Sequence, residues 1–281
     1  MSIANSISLF IGRKRFLNRK LRRLHAKSAV MPIARSFKLY LDPRDLCGPS
    51  FYVMYGGAAA FYHYEESLKS EIMQHFRADG VFIDVGANIG LISLFVSKFF
   101  PVSKIYSFEP GEVTHHCLNL SLAKNKVKNI ELIKKGLSNQ ISEGVNFFID
   151  PTSTGGSSLV IEKNKDNKQR PIEKISLTTL DAFVNEKKII PTLIKIDVED
   201  AEELVLEKAI ETIEKYHPVF IIESNNQKIM KNPNFFGTIF KDYKVREVGT
   251  LDFVDISELQ KLVAENANKQ RYFTDYIFVP R

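Results

Sequence analysis

Cysteine is scarce in this chain: Cys47 and Cys117 are its two thiols. Two isolated cysteines build neither a disulfide framework nor a CxxC metal site, so a reducing cytoplasm is the expected compartment. Long hydrophobic runs are missing as well, and no stretch is long enough to span a bilayer as a helix. Acid is missing from the N-terminal end. None precedes Asp42, whereas Arg13, Lys14, Arg15, Arg19, Lys20, Arg22, Arg23, Lys27 and Arg35 all fall in the first 35 residues. The remaining 30 basic and 33 acidic residues leave the rest of the chain mildly acidic. The net charge of +6 is therefore a property of the tail, which argues against a nucleic-acid groove in the main body. There is no internal repeat.

The apolar piece ISLFIG precedes the basic run, the wrong order for a secretory signal. Phe10, Leu17, Leu21 and Leu24 share one helical face amid Arg and Lys. A basic amphipathic helix over Arg13–Lys27 suits an anionic membrane surface; it equally suits packing onto the domain through its leucines.

From residue 81 the chain alternates. VFIDV, KIYSFEP, IELIKK, TLIKIDV and PVFIIES read as strands, with helical patterns between them. KVREVG and YFTDYIFVP add two later strands, expected antiparallel at the sheet edge. This alternation predicts an α/β sheet, mostly parallel, with helices on both faces. Residues 137–171 interrupt the rhythm as an exposed inserted hairpin. Upstream, FKLYLDP and FYVMYGG read as strands and YEESLKSEIMQHF as a helix. The expected organisation is a basic extension (1–35), a cover segment (36–80) and the main domain (81–281).

The chemistry starts at VFIDVGANIG. A phosphate-binding P-loop needs Gly-Lys-Ser/Thr, and no Lys follows Gly90 until Lys98. The dinucleotide fingerprint needs G-x-G-x-x-G, and Asn88 and Leu91 occupy its second and third glycine positions. Asp84, two residues before the turn, opposes an anion and suits a cationic ligand. S-adenosylmethionine carries a sulfonium and an ammonium, and Gly86 and Gly90 allow close backbone approach. Capping of the next helix by Asp84 is the bland alternative. Glu109 ends the second strand, where an acid accepts both hydroxyls of a ribose.

These segments resemble the FkbM family of S-adenosylmethionine-dependent methyltransferases, within the class I methyltransferase fold. IDVGANIG, FEP at Phe108–Pro110, LTTLDAF at Leu177–Phe183 and LIKIDVEDAEELVL at Leu193–Leu206 carry the resemblance, over roughly residues 64–224. It implies a Rossmann-like, seven-stranded sheet with an antiparallel last strand. It implies that Asp84, Gly86, Ala87, Asn88 and Gly90 hold the methionine part of the donor, Glu109 the ribose, and the region of Gly136 and Leu137 the adenine. Asp200 stands where the family usually has Gly.

The resemblance also implies O-methylation of a hydroxyl on a sugar, glycan or natural product. Such an acceptor needs alignment and a base for its proton. Asp197 and Glu199, after the fourth strand, are the candidates, with Glu223 at the end of the fifth. If Asp197 and Glu199 continue an extended strand they point the same way. His63 is the histidine of the cover segment that could reach the acceptor side, although its aromatic neighbours read rather as core or pocket wall; His115 and His116 read as structural. No metal constellation is expected. Two other readings stay open: a non-catalytic methyltransferase-like module at a membrane assembly, favoured by Asp200 and the basic tail, and a nicotinamide oxidoreductase, disfavoured by the failed fingerprint.

Overall fold

The computed structural model describes residues 29–34, 37–160, 170–269 and 271–281 of the 281-residue chain. The basic helix expected over Arg13–Lys27 and most of the charged run after Ile161 lie outside the described residues. Among the described residues no helix is long and apolar enough to cross a membrane.

Two strands, β1 (Ala29–Ala34) and β2 (Phe37–Leu41), form an antiparallel pair. Helices α1 (Pro49–His63) and α2 (Glu66–His75) follow. The central sheet then opens with β3 (Val81–Val85), α3 (Leu91–Phe99), β4 (Lys104–Phe108), α4 (Glu112–Asn125) and β5 (Ile130–Ile133). A side sheet holds β6 (Gly136–Leu137), β7 (Ser142–Phe148) and β8 (Ile172–Thr178) in the order β6-β8-β7. After α5 (Leu180–Lys187) the chain returns through β9 (Leu193–Ile196), α6 (Glu202–Leu206), α7 (Ile210–Tyr216) and β10 (Val219–Asn225). It ends with α8 (Asn226–Lys231), α9 (Pro233–Ile239), β11 (Tyr243–Glu247), β12 (Val254–Asp255), α10 (Leu259–Asn268) and β13 (Phe273–Pro280).

The main sheet runs β12-β11-β13-β10-β9-β3-β4-β5. β10, β9, β3, β4 and β5 are mutually parallel, and β13 is antiparallel to both β10 and β11. The expected seven strands with a reversed last one are present, and the two-residue β12 extends the edge. β13 lies inside the sheet rather than at its edge, inserted between β10 and β11.

Strand alternation divides the core into two layers. Ile83, Val85, Ile194 and Ile196 face one layer, with Phe183, Val205 and Ile213 from the helices. Phe82, Leu193, Ile105 and Ile221 face the other, with Ile92, Val96 and Leu118. Each fully buried Leu, Ile or Phe contributes roughly 1.5–3 kcal/mol, so both faces of the sheet are firmly held.

FYVMYGG, expected as a strand, is helical within α1. The reason lies upstream. The buried Asp45 carboxylate accepts from the backbone N–H groups of Gly48 (2.6 Å), Ser50 (2.8 Å) and Phe51 (3.2 Å), and Pro49 opens the helix. That nucleus overrides the β propensity of Tyr, Phe and Val. Gly57 kinks the helix at φ 66°, ψ −149°. The helical pattern between TLIKIDV and PVFIIES forms two helices, α6 and α7.

Candidate active site

The carboxyl ends of β3, β4, β9 and β10 open onto a cavity of about 470 Å³. Its walls include Gly86, Ala87, Asn88, Glu109, Gly136, Leu137, Asp197, Glu199 and Glu223, together with Tyr64 and Glu65 from the cover segment. Asp84 and Gly90 are not on its walls.

The turn after β3 is fixed by backbone bonds. Gly86 and Ala87 both donate to the Phe108 carbonyl, at 3.0 and 2.9 Å. Gly86 has φ 80°, and a Cβ there would lie 1.9 Å from the Asp197 carbonyl oxygen. Only glycine allows the turn to pass so close to the end of β9. Gly90 begins α3 at φ 84°, and its missing side chain makes room for Leu118.

Glu109 knits the turn to α4. Its Oε2 accepts from Asn88 N–H at 2.7 Å, and its Oε1 from Gly111 N–H at 2.9 Å and the Thr114 hydroxyl at 2.7 Å. Burial raises its pKa, while these three donors pull it back. A carboxylate offers about four acceptor positions, so Oε2 keeps capacity for a ligand hydroxyl on the cavity side. Asn88, itself left-handed at φ 53°, donates Nδ2–H to the Thr154 carbonyl at 2.9 Å. The Thr154 hydroxyl in turn donates to Asp45 at 2.8 Å. The inserted segment is thereby a wall of the site and not the exposed hairpin expected.

Asp84 departs from its expected role as a direct ligand contact. It is fully buried beneath the turn. Alternation along β3 turns it toward α3, where Oδ2 accepts from the Ser93 hydroxyl at 2.5 Å. Ser93 and Ser107 are 2.7 Å apart. On the other side Lys195 Nζ lies 3.6 Å from Asp84 Oδ1 and 3.0 Å from Asp197 Oδ2. Burial opposes the charge on Lys195, but Asp197, Asp84 and Glu65 together hold its pKa above the ordinary lysine value. Lys195 is the site residue that sequence reasoning missed. Its signal was present: a lysine inside the otherwise apolar central strand LIKI.

Asp197, Glu199 and Glu223 converge, with one carboxylate oxygen from each lying within 4.8 Å of the others. This contrasts with the expectation that no metal-like constellation exists. The convergence does not arise from strand alternation, since β9 stops at Ile196. Glu199 and Asp200 are left-handed, at φ 52° and 74°, and this turn brings Glu199 round. Asp197 is the main cause of a strong upward shift in the Glu223 pKa, followed by burial and Asp275. Asp275 stands directly opposite Glu223 on β13. Like charges this close, together with burial, favour the protonated form of Glu223.

Asp200 takes a backbone conformation that Gly would adopt freely. Its left-handed backbone costs an L-residue roughly 1 kcal/mol. Here Asp200 is anchored by Lys228 Nζ and Asn225 Nδ2, both at 3.1 Å. His63 is exposed and pairs with Glu66 at 3.0 Å, away from the cavity. His115 and His116 are half-buried on α4 and also lie off the cavity.

A mostly parallel sheet with a reversed strand beside β10, and a glycine turn and acid-ended second strand at one cavity, define a class I methyltransferase fold. The family model for the methyltransferase FkbM domain matches residues 84–247, and the chain belongs to that family. S-adenosylmethionine is the family's methyl donor. Methyltransferase sdnD of Sordaria araneosa is 29% identical over 138 residues, 48% of each chain. Methyltransferase 1 of Beauveria bassiana (strain ARSEF 2860) is 29% identical over 149 residues, 47% of this chain and 59% of its own. The chain thus spans about half the length of the curated relatives it matches. A crystal structure of methyltransferase FkbM from Methylobacillus flagellatus KT superposes with a TM-score of 0.48 at 16% identity, over 84% of this chain and 56% of that one.

Proposed function

We propose that the chain is an O-methyltransferase, taking S-adenosylmethionine at the turn between β3 and α3 and a hydroxyl acceptor at the ends of β9 and β10. The observation that carries this reading is the meeting of Glu109 and the Asp197–Glu223 pair on one cavity. Glu109 offers acceptor capacity for a ribose. Gly86, Ala87 and Asn88 present backbone at close range, and Gly136 and Leu137 give a small, apolar wall suited to adenine. Gly90 serves by letting α3 start against Leu118. Asp84 acts from below, holding Ser93 and Lys195.

The donor supplies an activated methyl group. What the protein adds is alignment and a proton acceptor. The Asp197 and Glu223 carboxylates meet at this end of the cavity, and a carboxylate there can take the acceptor's proton as the new C–O bond forms and the donor's C–S bond breaks. Lys195 donates to Asp197 at 3.0 Å and holds that carboxylate in place. Glu199 borders the acceptor. The expectation that Asp200 favours a non-catalytic module weakens, because Lys228 and Asn225 accommodate it without opening the turn. We also propose that residues 81–281 form the methyltransferase domain, with residues 36–80 as its cover.

Calorimetry with S-adenosylmethionine tests the donor half: wild type binds, and Glu109→Ala loses at least about tenfold in affinity. Absence of binding by wild type refutes the reading. Transfer of a carbon-13-labelled methyl from the donor into a cell extract, with the carbon chemical shift of the product showing whether the methyl sits on oxygen, tests the oxygen acceptor.

A further inference from the structure

The cavity reaches solvent beside α1, where its wall includes the exposed residues Arg44, Pro151 and Thr152. Leu46, 41% exposed, joins this rim by donating its N–H to the Thr152 carbonyl at 2.8 Å. Tyr52, 43% exposed, lies edge-on to the wall residue Tyr64, with ring centroids 5.5 Å apart. No Asp, Glu, Lys or Arg stands between Pro49 and Tyr62. The first turns of α1 therefore extend the rim as an uncharged surface of Tyr52 and the half-buried Phe51 and Met54. The acids beside it are engaged elsewhere. Asp42 meets the Arg44 guanidinium with both oxygens, Asp45 is buried under backbone N–H groups, and Asp150 pairs with Arg170.

The basic extension joins the domain at this same corner. Ala29 pairs with Leu41 at the open end of the β1–β2 hairpin, one residue before Asp42 on the cavity wall. β1 packs against α1. Of residues 1–28, eight are Arg or Lys and none is acidic. Covalent reach alone keeps Lys27 within about 7 Å of Ala29, and Arg22 and Arg23 within about 25 Å. An aromatic and aliphatic rim beside dense positive charge matches an anionic bilayer. Rings and aliphatic groups enter the headgroup layer, and the basic residues meet its negative potential. A neutral glycan would use the rings and leave the charge idle. A nucleic acid would use the charge and leave Leu46 and Met54 idle.

We infer that this corner is a docking surface for an anionic lipid bilayer. Leu46, Phe51, Tyr52 and Met54 lie against the lipid, the extension supplies the charge, and the cavity mouth opens onto the headgroups. Docking of this kind does not depend on the methyl-transfer reading.

The test places an environment-sensitive fluorophore on Cys47, which is exposed beside Leu46 while Cys117 is buried. The full labelled chain is mixed with vesicles of phosphatidylcholine alone, or of equal parts phosphatidylcholine and phosphatidylglycerol. It should bind the anionic vesicles at least about tenfold more tightly, with a blue shift of the label, and salt should reverse both. A label at Lys241→Cys in a Cys47→Ser background should bind alike without a shift, because that exposed position lies with α9 on the opposite face of the sheet. Leu46→Ser with Tyr52→Ser should weaken anionic binding at least about fivefold. Replacing Arg19, Lys20, Arg22 and Arg23 by Gln should remove the preference for anionic lipid. Binding to neither vesicle, equal binding to both, no shift at Cys47 or an equal shift at residue 241 overturns the inference. So does undiminished binding by the Leu46→Ser/Tyr52→Ser variant, since the extension would then be a bare tether, or an undiminished preference in the Gln variant. The shift at Cys47 is read on an otherwise unaltered chain, so it decides the matter even where a variant fails to fold.

Discussion

Lys195 and Asp84 are register neighbours on the adjacent central strands β9 and β3, with Nζ 3.6 Å from Oδ1 and both side chains buried. The lysine continues to Asp197 at 3.0 Å, so one ammonium joins the interior of the sheet to the cavity.

Lys195→Met should therefore strip two acids of their counter-charge. Breaking a buried pair from one side costs about 3–5 kcal/mol. The expected result is a lower urea midpoint. Adding Asp84→Asn should restore part of the loss; a double variant no more stable than the single one contradicts the pairing.

Gly86→Ala tests the close approach of the turn to β9. Its Cβ would meet a backbone oxygen at 1.9 Å, in a left-handed conformation. Backbone cannot give way as a flexible side chain does, so a loss of about 2 kcal/mol or more is expected, with donor binding abolished. Thermal unfolding and calorimetry read the two effects separately.

Stability should also depend on pH through Glu202, which burial pushes up to about 7. The folded protein keeps this proton where the unfolded chain has released it. Its stabilising contribution is complete below about pH 4.5 and disappears as pH rises through about 7, a change on the order of 3 kcal/mol. Asp275, pushed up to about 6, adds in the same direction. His75 and His115, shifted down by burial, act the opposite way. The effect of Glu202 is thus read as a difference: wild type should lose stability relative to Glu202→Gln between pH 5 and 7.5, by urea denaturation at about half-unit steps. A constant difference contradicts the shift.

Asp200→Gly exchanges strain relief for lost anchoring. Relaxing the left-handed backbone gains roughly 1 kcal/mol, and losing the Lys228 and Asn225 contacts gives back a similar amount. Stability should stay within about 1 kcal/mol of wild type and donor affinity should be unchanged. A large drop in either means that Asp200 has a role of its own.

The sheet and the glycine turn after β3 were legible because their signals are local. VFIDV and KIYSF alternate in period two, and the glycines mark a turn that no other residue can make. Glu109 was readable from its place at a strand end. Asp84 was misjudged for the same reason that made it visible: its spacing from Gly86 is clear, but its direction follows from strand alternation and from Ser93, nine residues on. Asp197 and Glu199 do meet, but through a turn with two left-handed residues and not through an extended strand. Glu65 and Tyr64 stand at the start of the resemblance, but in none of the segments that carry it. Their position depends on α1, whose aromatic sequence reads as strand until Asp45 caps it.

Thr154 has a divided allegiance: its carbonyl holds Asn88 of the donor turn, and its hydroxyl holds Asp45 of the helix-capping loop. A change at this one position of the inserted segment is therefore felt both by the loop that starts α1 and by the turn after β3, while the stretch before residue 84 stays fastened to the domain by its own core of Leu39, Phe61, Leu68 and Ile72 against Phe82 and Ile92.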